Sequence, residues 1–151
     1  MMRLVVVRHG HAGVASQDRD RELTPAGRAA VERLGQSLAA SGWRPDLVLS
    51  SPAARALATA AALGAEVRVV RDLYLGGVHD ALAAMGHVEP EAGTVAMVGH
   101  NPVWEHLVHA LSGALVPMAP GTAVLLEFGG GAWQRAGIWS DGDRYEGPSL
   151  S

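Results

Sequence analysis

The sequence predicts an α/β fold: a three-layer α/β/α sandwich with a mostly parallel central sheet and an antiparallel edge. Three observations carry this. Short apolar runs alternate with helical patterns along most of the chain, as they do when crossover helices join parallel strands. The first of these runs, Leu4-Val5-Val6-Val7, is apolar throughout, which suits a strand covered on both faces. Late in the chain, residues 123–128 and 133–139 flank Gly129-Gly130-Gly131 and read as a hairpin.

Residues 3–7 form the first predicted strand, and residues 12–22 are polar and read as a loop. Thr24-Pro25 starts a helix, with Thr as the cap and Pro at the first helical position. Val31, Leu34 and Leu38 give that helix its apolar stripe, and Ser41-Gly42 ends it. Residues 46–49 read as the second strand. Ser50-Ser51-Pro52 then restarts a helix, with a Ser cap and Pro behind it; this helix is rich in Ala and stops at Gly64. Residues 67–70 are a third strand, 73–77 are irregular, and 80–85 form a short helix. Residues 94–98 are the fourth strand. Asn101-Pro102 caps a helix carrying Val103, Trp104, Leu107, Val108 and Leu111 and ending by Gly113. Residues 140–151 are polar and read as a loose tail. The whole, 1–151, reads as a single domain, a length that buries one sizeable core.

Composition narrows the chemistry. There is no cysteine, which removes disulfides, thiolate zinc sites and a Cys nucleophile and fits a cytoplasmic protein. No apolar run approaches the roughly 18 residues of a membrane span. Met1-Met2-Arg3 leads straight into a strand, so no signal peptide is expected. The formal charge of -3 gives no reason to expect nucleic acid or an anionic membrane as partner. All 12 basic residues are Arg, so a Schiff-base or P-loop Lys is excluded. Any anion site must use Arg, His or backbone N–H groups.

Three strand-to-helix junctions carry residues suited to such a site. Arg8-His9-Gly10-His11 closes the first strand, Ser50-Ser51-Pro52 with Arg55 follows the second, and Gly99-His100 follows the fourth. In open α/β sheets ligands bind at the carboxyl edge of the strands. Arg55 falls in the first turn of a helix, where a cation opposes the helix dipole at a cost of a few tenths of a kcal/mol. A residue that breaks a local rule marks a functional candidate, and an anion in the crevice would remove the conflict.

These motifs, together with the segment Leu23-Thr24-Pro25-Ala26-Gly27-Arg28 and Thr59, resemble the histidine phosphatase superfamily, the phosphoglycerate mutase-like group. The short chain is most similar to the small bacterial SixA-like branch of phosphohistidine phosphatases. The resemblance implies that His9 is a nucleophile that becomes phosphorylated, that Arg8 and Arg55 bind the phosphoryl oxygens, and that His100 donates to the same group. Two Arg forks and a protonated His would then supply the charge that phosphoryl transfer needs, with no metal or other cofactor. The implied substrate is a phosphorylated protein (phosphohistidine) or a small phosphorylated metabolite.

His11 stands where members of the group often carry Glu, Asp or Gln, and with Arg21 it is a candidate substrate contact. The acid that larger members take from the region after the third strand has no Glu here; Asp80 and His79 are the candidates, and helix capping is the plainer role for Asp80. A missing acid would suit a substrate whose leaving group departs easily. His87, His106 and His109 read as surface or turn residues, and Trp43, Trp104, Trp133 and Trp139 as packing. Two rival readings stand beside this one. A metal-dependent hydrolase would use His9, His11 and His100 as ligands, and a binding module would hold a phosphorylated ligand without turning it over.

Overall fold

The computed structural model describes residues 1–141 and 143–144. Among these residues seven strands form one sheet: β1 (Arg3–Arg8), β2 (Leu47–Ser50), β3 (Glu66–Val69), β4 (Thr94–Gly99), β5 (Thr122–Gly129), β6 (Ala132–Ser140) and β7 (Asp143–Arg144). Their order is β3-β2-β4-β1-β5-β6-β7. The first four run parallel, and β5 pairs antiparallel with β1. The predicted class is therefore the observed one, a parallel sheet with an antiparallel edge.

Residues alternate across β1 as the pleat requires. Leu4 and Val6 enter one core cluster with Leu107 and Trp104, while Val5 and Val7 enter another with Leu34, Leu38, Ala56 and Ala60. The helices α1 (Pro25–Ala40) and α2 (Ala54–Ala61) cover the second face, and α3 (Val78–Gly86) and α4 (Val103–Ser112) cover the first. All four apolar residues of β1 are 0% exposed, and each such side chain contributes roughly 1.5–3 kcal/mol by burial. α1 starts as the sequence implies: Thr24 caps it by accepting the Gly27 N–H at 3.0 Å. A Cβ on Gly27 would stand 2.2 Å from the His11 carbonyl oxygen, so only glycine lets α1 pack against the chain that follows β1.

Four local expectations change. Ser50 and Ser51 do not cap α2. Its cap position is Ala53, with no side-chain bond, because Ser51 still belongs to the sheet edge and donates its N–H to the Val98 carbonyl at 3.0 Å. α3 begins two residues early, at Val78, because Asp80 reaches back to accept the Gly77 N–H at 2.9 Å. The loop 12–22 holds a 3-10 turn, Asp18–Asp20, and a bridge between Ala12 and Leu23. The expected loose tail begins in the sheet, with residues 143–144 paired to β6; the rest of that expectation lies outside the described residues.

Candidate active site

Sheet order makes β1 and β2 the two neighbours of β4. Register sets Arg8 beside Gly99 and Ser50 beside Val98. The three junctions singled out by sequence therefore end at one level of one edge. The His9 N–H extends the ladder one step, donating to the Gly99 carbonyl at 3.1 Å. Gly10 then turns the chain, its N–H held by the Thr59 hydroxyl at 3.0 Å, while Thr59 donates to the Arg55 carbonyl at 2.8 Å.

His9 is buried, 8% exposed. Its Nδ1 lies 2.8 Å from the Gly10 carbonyl oxygen, which fixes the proton on Nδ1 and leaves the Nε2 lone pair free. Arg55 Nε donates toward that Nε2 at 3.4 Å. Burial lowers the His9 pKa to about 4, and the charges of Arg55, Arg8 and Arg21 push the same way against the Gly10 bond. His9 is thus a neutral imidazole at pH 7.

The His100 ring centroid is 5.1 Å from that of His9. Arg55 Nη2 donates toward its Nδ1 at 3.4 Å, so the proton sits on Nε2, which donates to the buried Ser51 hydroxyl at 2.8 Å. Burial first, then His9 and Arg55, lower its pKa to about 4. Among these guanidinium groups His100 is neutral, and added negative charge, such as a phosphoryl group, would raise its pKa.

Arg8 donates from Nη1 to the Met118 carbonyl at 2.8 Å, and its buried Nε has no partner. An unpaired buried N–H costs about 1–3 kcal/mol and in a cation aimed at a cleft suits an anion. Asn101 holds the Met118 carbonyl as well, at 2.9 Å. The cleft has a volume of about 370 Å³. Its lining includes Arg8, His9, His11, Arg21, Arg55 and His100 and, among the described residues, no carboxylate. All six residues named from sequence therefore meet. His11 is exposed on the rim, with Nδ1 3.1 Å from the Thr24 hydroxyl, and Arg21 is half-buried, bonded to the Gly13 carbonyl at 2.8 Å.

The model of the histidine phosphatase superfamily, branch 1, matches residues 4–74. A chloroplastic protein of Arabidopsis thaliana, itself uncharacterized, is 30% identical over 152 residues, which is 89% of this chain and 70% of that one. A structure from Nakamurella multipartitia assigned as the phosphohistidine phosphatase SixA is 35% identical, covers 91% of this chain and 95% of its own, and superposes with a TM-score of 0.85. A second SixA assignment, from Agrobacterium tumefaciens, is 27% identical over 92% of this chain and 97% of its own, with a TM-score of 0.83.

The chain belongs to the histidine phosphatase superfamily. It is an enzyme of the phosphatase type, and its fold is that of the phosphoglycerate mutase-like group. As a histidine phosphatase it departs from the sequence reading in one residue that was missed. Asp18, on the 3-10 turn, accepts from Tyr74, Arg21 and Arg55, and these bonds, that of Tyr74 first, hold it well below the usual carboxylate range. Asp80 and His79 do not line the cleft of this phosphatase; Asp80 caps α3 and His79 is exposed. His87, His106 and His109 are exposed, and Trp43 and Trp104 are buried. The metal-hydrolase reading is not favoured, because His9 commits Nδ1 to a carbonyl and turns Nε2 to a guanidinium, which repels a cation. No helix among the described residues is long and apolar enough to cross a membrane.

Proposed function

We propose that this single-domain phosphatase works through a phosphorylated His9, without metal, and that its substrate class is the phosphohistidine side chain of a protein. Nε2 of His9 attacks phosphorus in line, and the bond from phosphorus to the substrate nitrogen breaks. The substrate imidazole, protonated on its other nitrogen beforehand, leaves as a neutral ring. Arg8 and Arg55 bind the equatorial oxygens, whose charge is what the site must stabilise. The Gly10 carbonyl keeps a proton on Nδ1, so phospho-His9 is a phosphoimidazolium and a good leaving group in its turn. Water then attacks phosphorus, the P–Nε2 bond breaks, the electron pair returns to Nε2, and the two water protons leave with dihydrogen phosphate. His100 neighbours the reacting group, and His11 and Arg21 face the leaving side at the rim.

One observation carries the substrate class: among the described residues no carboxylate lines the cleft, and Asp18 beside it is held ionised. An alkyl alkoxide needs a proton donor to depart; a protonated imidazole does not. The missing cysteines fit a cytoplasmic setting, and the phosphorylated partner is a protein, not nucleic acid or membrane. The test compares initial rates, in EDTA, on a phosphohistidine peptide and on glycerol phosphate. The expected ratio of kcat/KM is at least about a hundredfold in favour of the P–N bond. Comparable rates would contradict the assignment.

A further inference from the structure

Asp18 lies on a 3-10 turn with no buried residue, and its side chain is 53% exposed. Four bonds from side chains nevertheless converge on it. Arg55 Nη1 donates to its backbone carbonyl at 2.8 Å and Arg55 Nη2 to Oδ2 at 3.1 Å. Arg21 Nη1 donates to Oδ1 at 3.1 Å, and the Tyr74 hydroxyl to Oδ2 at 2.6 Å. The Tyr74 ring in turn stands edge-on to His100, 5.7 Å between centroids. An exposed ion pair adds little to stability, typically about 0–1 kcal/mol. Folding therefore gives a weak reason for so many partners on one exposed carboxylate.

The partners themselves give a better one. Arg55 is 6% exposed and engages His9 through Nε and His100 through Nη2. A guanidinium is a planar fork, and two anchors on its Nη atoms fix the plane. Asp18 supplies both. It also anchors another cation of the cleft, Arg21, from its second oxygen. We propose that Asp18 is a positioning residue, clamping the guanidinium planes of Arg55 and Arg21 in the orientation that the phosphoryl transition state requires. The proposal rests on the assignment of His9 as the phosphoryl acceptor. When a phosphoryl group reaches Nε2, the Arg55 Nε–H passes from the imidazole to a phosphoryl oxygen while Asp18 keeps the rest of the fork still.

A clamp and a bulk charge have opposite signatures. Removing one negative charge near an anion site favours ground-state anion binding; loosening a fork harms the transition state. Asp18→Asn, Asp18→Glu and the control Asp20→Asn, which removes the same charge from the same turn, would be compared on phosphoramidate. Inorganic phosphate would serve as inhibitor, and thermal unfolding would check the fold. Asp18→Asn should lower kcat at least about tenfold while the phosphate inhibition constant tightens or stays within about threefold. Asp18→Glu should recover part of the loss, and Asp20→Asn should match the native enzyme. Native kcat in Asp18→Asn, or an equal fall in Asp20→Asn, would overturn the proposal. If Asp18→Asn is unstable, Asp18→Glu decides: at native Tm, a kcat below that of the native enzyme with phosphate inhibition within about threefold supports the clamp, and a fully native kcat overturns it. A native enzyme that turns over phosphoramidate without labelling His9 would instead remove the mechanism on which the proposal rests.

Discussion

Arg55 Nε stands 3.4 Å from Nε2 of His9, so the cation that breaks the helix-dipole rule in α2 aims at the ring atom proposed to accept the phosphoryl group. Arg55→Lys keeps the charge and loses the fork. It should lower kcat by about 10²–10³ with circular dichroism unchanged; steady-state kinetics on phosphoramidate checks this.

Thr59 links the two halves of the site, accepting from Gly10 and donating to the Arg55 carbonyl. Thr59→Val preserves shape and leaves the buried Gly10 N–H unpaired. A loss of about 1–3 kcal/mol is expected, measured by urea unfolding, together with slower phosphorylation of His9.

Gly99 lies against Trp104: a Cβ there would meet ring carbons at 2.7 Å. Gly99→Ala should cost about 1–3 kcal/mol through overpacking and displace the adjacent His100. The matching readouts are a lower Tm and a kcat below that of the native enzyme.

Acid should weaken the fold through its two central imidazoles. Both His9 and His100 have folded-state values of about 4 against an ordinary 6.5. Between those values the unfolded chain binds protons that the folded chain refuses. Their contribution is therefore complete above about pH 6.5 and is lost as pH falls toward 4. Urea unfolding at pH 7 and pH 5 should show the drop, and His100→Gln should flatten it. The same shift keeps the His9 ring neutral at pH 5, as its proposed role requires.

The residues legible from sequence were those that broke a local rule at a strand end. Arg8, His9 and His100 close apolar runs, and Arg55 sits where a helix disfavours it. Strand order then does the rest, because β2, β4 and β1 are neighbours. Asp18 was not legible. It lies among Asp and Arg residues that read as a solvated loop, and its partner Arg55 is 37 positions away. The cap of α2 was misread because Ser51 looked like a helix signal, whereas its backbone continues the sheet and its hydroxyl serves His100. The partner of Arg8, the Met118 carbonyl, is a backbone atom in a loop and leaves no mark on composition.

The most direct test of the account is chemical trapping. The protein would be incubated with labelled phosphoramidate in EDTA, quenched in base and mapped by peptide. The account predicts a base-stable, acid-labile phosphoryl group on His9, absent in His9→Gln. Turnover without label on His9, or label on another residue, would contradict it.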